Sequence, residues 1–482
     1  MKKQVFNPFL PLDEYIPDGE PHIFGDRVYL YGSHDYEGGR TFCMGDYTVY
    51  SAPVDDLSDW RCEGVIYSAT QDPDYNEERP YMYAPDVVQG NDGRYYLYYC
   101  LSGEYGFGGY FGPIAVAVCD TPAGKYDYLG YIHYSDGTPM KKYVCFDPCA
   151  FNDNGTIRIY YGTQYMDESN DILANDSEKL AEVMKRYNKT DEEILKTPDN
   201  VNGACMVILE DDMLTVKGDA KHIIPYDADF GGHEFFEASS MRKVGEKYYF
   251  IFSSQKNHEL CYAVSDYPDR DFVYGGTIVS NGDVGINGID DEHRMNMTGT
   301  THGSIIEINN QWYVFYHRLT HKSDYSRQAC AEKIYISADG SISQAEITSC
   351  GLNDSLLKAK GRYPAAIACH ITNGSMPHGS NRIFDTSFPN VNHRDNERFI
   401  AEISGETLIR FRYFSGSPKK IGMSYRGSGS GTVKINGISH EILPVCNWTD
   451  ICVDSANTDR KFDVTIEFSV SGNIEMKELF FE

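Results

Sequence analysis

Five short hairpins rich in tyrosine and phenylalanine recur along the chain, and their spacing restricts the fold more than any other feature. They read "GDRVYLYG" from Gly25, "DGRYYLYY" from Asp92, "NGTIRIYYG" from Asn154, "GEKYYFIF" from Gly245 and "NQWYVFYH" from Asn310. Each is one or two turn residues followed by an aromatic strand, the pattern of a β-hairpin. In register they place Tyr29, Tyr96, Arg158, Tyr249 and Tyr313 in one column, at intervals of 67, 62, 91 and 64 residues. Three intervals are close to equal, and each has room for a four-stranded sheet. Radial repetition of such sheets makes a β-propeller, here with five blades. An ordinary β-sandwich with coincidentally aromatic strands is the competing reading. The long interval holds "DILANDSEKLAEVMKRYNKTDEEILK", Asp171 to Lys196, which has a helical pattern and reads as an insertion at about 168–199.

A column of ionisable residues precedes the aromatic one. Asp18 in "YIPDGEP" lies eleven residues before Tyr29, Asp86 in "MYAPDVV" ten before Tyr96, and Asp147 in "VCFDPCA" eleven before Arg158. Glu237 lies twelve before Tyr249, and His302 in "GTTHGS" eleven before Tyr313. Equivalent positions of a propeller's innermost strands converge on its axis, so these five side chains are expected to meet in one pocket. Placing a carboxylate beside Phe235 and Phe236 is costly unless the pocket uses the shifted pKa values that result. Asp18 before Gly19 and Asp147 before Pro148 also suit plain turn residues. Glu234 is a rival to Glu237, which the repeat offset favours.

The bulk properties narrow the partners. The 482 residues are 24% charged and 41% hydrophobic, as in a globular chain long enough for more than one domain. A formal net charge of −28 argues against nucleic acid and anionic membranes, and is compatible with a neutral sugar or a cation. No apolar h-region follows Lys2 and Lys3, and no run of 18 apolar residues occurs, so neither a signal peptide nor a membrane span is expected. Thirteen cysteines without CxxC pairs read as reduced thiols, which points to the cytoplasm. P-loop, GxGxxG, HExxH and GxSxG motifs are lacking.

At these residues the chain resembles glycoside hydrolase family 43. The resemblance covers about residues 5–350 and rests on "NPFLPLDEYIPDGEPHIFGDRVYLYGSHD", "YAPDVV", "FDPCAFNDNGTIRIYYG", "FFEASSMRKVGEKYYFIFSS" and "THGSIIEINNQWYVFYHR". It implies a five-bladed propeller and an inverting glycosidase acting on arabinose- and xylose-containing glycans. It also implies Asp18 as general base, Asp147 as pKa-modulating carboxylate, Glu237 as general acid and Asp86 as a pocket-lining residue. His302 matches an axial histidine that approaches a central calcium ion, often through water. "YIPDGEP" and "EAS" depart from the commoner "YPDP" and "EGP". An inverting mechanism sets the base and acid roughly 6.5–9.5 Å apart, with a water on the base side. No cofactor is expected for the chemistry, and a structural calcium ion on the axis is compatible with it.

Further candidates are weaker. His34 in "GSHD" and Arg327 in "DYSRQA" are candidates for binding sugar hydroxyls. Tyr83 and Phe146 are candidates for stacking on a sugar ring, with blade core as the alternative. From about 351 the composition shifts to Gly, Ser and Asn with short alternating strands, which reads as a C-terminal β-sandwich over 351–482. The stretch from Gly405 to Ile435 resembles carbohydrate-binding module family 6, and Trp448 and Tyr413 are its candidate sugar-stacking residues. The expectation is therefore an all-β chain, a propeller over 1–350 followed by a jelly-roll-like sandwich. Its expected activity is exo-hydrolysis of terminal pentosyl units from small oligosaccharides, with arabinofuranosyl favoured and β-xylosidase the alternative. A non-catalytic glycan-binding propeller and a glycoside phosphorylase are the rival classes. The reading allows an oligomer.

Overall fold

A computed structural model describes residues 4–78, 80–101, 112–164, 170–187, 190–195, 203–225, 228–379, 383–455 and 461–482. The aromatic hairpins are the first two strands of five successive antiparallel sheets. Blades 1 to 4 have four strands each, over 20–67, 86–131, 149–225 and 235–279, and blade 5 has three, over 304–334. The first strands of the blades are Glu20–Phe24, Asp86–Gln89, Cys149–Asp153, Phe235–Val244 and Ser304–Ile308. Each touches the next, and the fifth touches the first, so they form a closed ring about one axis. The N-terminal segment seals the ring. Phe9 N donates to Ala329 O on the outer strand of blade 5, and the Asn7 side-chain amide pairs with both backbone groups of Ala331.

Tyrosine suits this architecture because each seam between blades needs bulk and a polar tip. Tyr31 OH of blade 1 donates to Pro122 O of blade 2, and Tyr98 OH of blade 2 to Met213 O of blade 3. Tyr160 OH of blade 3 reaches Pro268 O of blade 4, and Tyr249 OH of blade 4 reaches Gly340 O beyond blade 5's last strand. The second strands are buried on both faces, as in Lys247–Ser254, which explains their unbroken apolar sequence.

The expected helical insertion sits between the second and third strands of blade 3 as helices Asn170–Asn175, Ser177–Tyr187 and Asp191–Leu195. Residues 168–169, 188–189 and 196–199 of the expected range lie outside the described residues. It is more than a solvated excursion. Leu173, Val183 and Ile194 form one apolar cluster with Phe146 and Cys100.

Where a two-sheet sandwich was expected, the described residues of the C-terminal unit form one mixed sheet of ten strands around a single core. Its two long members, Glu397–Ser415 and Phe462–Phe481, run antiparallel to each other. Its seam with the propeller is buried and ionic. Asp283 accepts from His370 Nε2 at 2.6 Å and from Arg412 Nη1 at 3.0 Å.

Candidate active site

The five residues of the ionisable column lie at or near the starts of the ring strands, and the backbone is shaped to aim them. Asp18 and Asp147 have φ of 58° and 46°, a left-handed conformation that Asp tolerates better than most residues. Glu237 lies in a strand whose pairing slips on both sides, from Phe235↔Ser254 to Glu237↔Ser253 to Ser240↔Ile251. Such bulges re-aim a side chain, and Ala238 beside it takes φ 67°.

Asp18 is buried against a fixed cation. Arg327 Nη1 donates to Asp18 Oδ1 at 2.7 Å. The other edge of the guanidinium grips Asp35, Nε to Oδ2 at 2.8 Å and Nη2 to Oδ1 at 3.0 Å, and its face covers the Phe42 ring. Burial, the largest single influence, pushes the Asp18 pKa up, but Arg327 together with His317, His302 and Ser33 outweighs it and holds the carboxyl below its usual value. His317 sets the backbone from the other side. Its Nε2 lies 2.5 Å from Thr300 O, so it carries the proton there, and Nδ1 accepts from Asp18 N at 3.1 Å. Burial and then Arg327 lower the His317 pKa to about 3, so the ring is neutral.

Asp147 is pushed the opposite way. Burial comes first, then the charges of Glu237 and Asp18, and together they raise its pKa well above the carboxylate range. Its Oδ2 accepts from Ala238 N at 3.2 Å and lies 3.6 Å from His302 Nδ1. The Asp147 carboxyl is therefore within electrostatic reach of both Asp18 and Glu237, and it is tied to the backbone next to Glu237.

The axis below these groups holds a second cluster. Arg242 Nη2 donates to Glu20 Oε2 at 2.6 Å. Glu20 Oε1 and His302 Nε2, 3.8 Å apart, are buried without a hydrogen-bond partner among the described residues. Burial keeps His302 neutral by lowering its pKa. Asp86 lies here rather than in a sugar pocket. It is fully buried, and its oxygens take His22 Nε2 at 2.6 Å, Val87 N at 2.7 Å and Ala150 N at 2.8 Å. It clasps blades 1, 2 and 3 together, which corrects the expectation that it contacts substrate.

Other expected residues are also placed differently. His34 has both nitrogens occupied, by Glu14 Oε1 at 2.9 Å and Asp46 O at 3.0 Å, so it braces the loop of blade 1. Its neighbour Asp35 is the residue that reaches the site. Phe146 is buried, 5.3 Å from the half-buried Tyr83 ring, and both pack in the cluster with the helical insertion. Arg327 has its nitrogens on Asp18, Asp35 and Cys43, so it positions a carboxylate instead of binding hydroxyls. Glu234 accepts from Gly232 N at 2.9 Å and caps that turn. In the C-terminal unit, Tyr413 OH bonds Glu346 Oε2 at 2.5 Å at the seam, and Arg426 covers the Trp448 ring. Sequence reasoning missed Asp35, His317, Glu20 and Arg242. The first two lie inside the motifs "GSHD" and "VFYHR", where a spacing argument aimed at one residue per blade passes over them.

The family described as Glycosyl hydrolases family 43 matches residues 7–201. A xylosidase/arabinosidase of Thermoclostridium stercorarium is 42% identical over 463 residues, spanning 92% of this chain and 88% of its own length. Among solved structures, a GH43_1 enzyme from Xanthomonas citri complexed with xylose is similar over 71% of this chain and 93% of its own, with 25% identity and a TM-score of 0.54. CoXyl43, a GH43 β-xylosidase/α-arabinofuranosidase from a compost microbial metagenome in complex with xylotriose, in calcium-free form, is 27% identical over 70% of this chain and 96% of its own, with a TM-score of 0.51.

Proposed function

This chain belongs to glycoside hydrolase family 43, and on that premise we propose that it is an inverting exo-glycosidase removing terminal pentosyl units from xylan-type oligosaccharides. The names of its relatives join xylosidase and arabinosidase, so β-xylosyl and α-L-arabinofuranosyl ends are both assigned to it, without the sequence-based preference for arabinofuranosyl. Asp18 is the base. It takes a proton from a water as that water's oxygen attacks the anomeric carbon. Glu237 is the acid and protonates the glycosidic oxygen as the bond to it breaks. The product sugar leaves with its anomeric configuration inverted. Asp147 orients the Glu237 segment and sets the local charge.

One observation carries the assignment. Within a single axial cluster, Arg327 leads the groups that hold Asp18 below its usual pKa, while burial and the repulsion between Asp147 and Glu237 favour one proton held by that pair of carboxyls. Carboxyl groups whose environments drive their pKa values apart are how one site supplies both a base and proton-holding groups near neutral pH.

The axial atoms suit a hydrated ion better than a caged one. Calcium takes six to eight oxygen ligands, and this cluster offers Glu20 Oε1 directly and His302 Nε2 through water. An ion held there would add positive charge to the cluster that Glu20 and His302 share with Arg242 and Asp147. Eight of the thirteen cysteines are buried, and a chain that carries so many thiols in its core suits a reducing compartment such as the cytoplasm.

The test is a panel of nitrophenyl pentosides and hexosides together with xylobiose, with the first-formed anomer followed by proton NMR. Turnover of xylosides and arabinofuranosides with inversion is the expected result. Net retention, or a requirement for phosphate, would refute the mechanism.

A further inference from the structure

His233 stands four residues before Glu237, yet its side chain meets the third strand of blade 4, Leu260–Ser265. Glu259 and Cys261 are two residues apart, so an extended chain puts them on one face. His233 Nδ1 lies 3.1 Å from Glu259 Oε2 and 3.8 Å from Cys261 Sγ, and the three donor atoms all lie within 4.8 Å of one another. A tetrahedral zinc ion with Zn–N and Zn–O of about 2.0–2.2 Å and Zn–S of about 2.3 Å has ligand-to-ligand edges of about 3.3–3.7 Å. The two measured edges bracket that range without any side chain moving far.

The surroundings hold the three groups in place. The Tyr274 ring stacks on His233 at 5.4 Å and 15°, and fixes the plane of the imidazole. Thr277 Oγ1 donates to Glu259 Oε2 at 3.3 Å, the kind of outer bond that orients a carboxylate ligand. Glu259 and Cys261 are buried, whereas the His233 side chain is 18% exposed. That exposed edge gives an ion a path in and leaves a fourth position for water.

We propose that His233 Nδ1, Glu259 and Cys261 form a mononuclear site for a soft divalent cation of the Zn²⁺ type, separate from the glycosidase centre. A thiolate with an imidazole selects zinc over calcium or magnesium, which prefer all-oxygen shells. Binding takes Cys261 as thiolate and His233 with Nδ1 unprotonated, and passes the protons they carry to solvent. It ties the segment leading to Glu237 to the outer part of its own blade, and hydrolysis needs no electron or proton from it.

Cobalt(II) reports such a site directly. The full chain, reduced and kept anaerobic, is titrated with Co²⁺ alone and then with Zn²⁺. One saturating equivalent with a thiolate-to-cobalt charge-transfer band in the near ultraviolet, lost on adding Zn²⁺, is the expected result. Cys261→Ser should abolish the band, while Cys62→Ser and Cys446→Ser, at exposed thiols, should leave it intact. If Cys261→Ser does not fold, His233→Gln serves, with cobalt affinity falling at least tenfold. A band absent at one equivalent, a band persisting in Cys261→Ser, or an affinity unchanged in His233→Gln would each overturn the proposal.

Discussion

Arg327 spends one edge of its guanidinium on Asp35 and turns Nη1 to Asp18, 2.7 Å away. The bidentate grip on Asp35 fixes the angle at which the cation meets the proposed base. Asp35→Asn weakens that grip without adding bulk. Breaking one partner of a buried pair costs about 3–5 kcal/mol, so the melting temperature should fall clearly. Asp18 must be ionised to act, and Arg327 is the largest of the groups that together lower its pKa against the effect of burial. A looser Arg327 lets the Asp18 pKa rise, so the acid limb of the kcat/KM profile should move to higher pH. A variant with an unmoved acid limb would mean that Arg327 does not tune the base.

The two proposed catalytic carboxyls are separable by leaving group. Asp18→Asn removes the base for every substrate, and general-base assistance is worth roughly 10²–10⁴-fold. Glu237→Gln removes proton donation, which a nitrophenolate leaving group scarcely needs. Glu237→Gln should therefore lose far more on xylobiose than on nitrophenyl xyloside, whereas Asp18→Asn should lose about equally on both. Equal losses for Glu237→Gln would remove it from the acid's role.

Asp147 is held in a state that opposes stability. An acid whose pKa is raised by folding stabilises the fold while protonated, and that contribution is lost as pH rises through the folded value. Burial and the charges of Glu237 and Asp18 raise Asp147 in this way. Asp147→Asn keeps the acceptor for Ala238 N and removes the charge. At neutral pH the variant should gain about 1 kcal/mol of stability while kcat falls by about 10² or more. Thermal melts at pH 7 and pH 4 check the sign, because the gain should shrink at the lower pH, where the unfolded chain's carboxyl takes up its proton as well.

The ring was legible in the sequence because a propeller repeats. A turn followed by Tyr-rich strand every sixty-odd residues is a long-range signal, and the constant offset from Asp18, Asp147 and Glu237 to it follows from the same symmetry. What the repeat hides is side-chain direction. Asp86 shares the offset, yet its oxygens turn along the axis to His22 and Ala150 N. Asp35 and Arg327 break the repeat and depend on contacts 292 residues apart, for which no local pattern exists. Phe146 looked available for a sugar because nothing nearby in sequence covers it; the cover comes from helices inserted after the second strand of blade 3.

His258 joins the site to the C-terminal unit and should make the fold sensitive to acid. Its ring lies 4.6 Å from Phe236, one residue before Glu237, and stacks on His378 at 5.4 Å. Burial, with His378 adding repulsion, depresses its pKa to about 3. The unfolded value is about 6.5, so the unfolded chain binds the proton more readily. The stability is fully present above about pH 6.5 and is lost as pH falls toward the folded value. By pH 5 the loss from this one group is about 2 kcal/mol. His258→Phe keeps the aromatic contact with Phe236 and removes the titration. Between pH 7.5 and pH 5 its melting temperature should fall less than that of the native chain, and activity should recover more fully after an acid pulse. A melting temperature that falls just as steeply in His258→Phe would show that the acid sensitivity resides elsewhere, with His317 the first alternative.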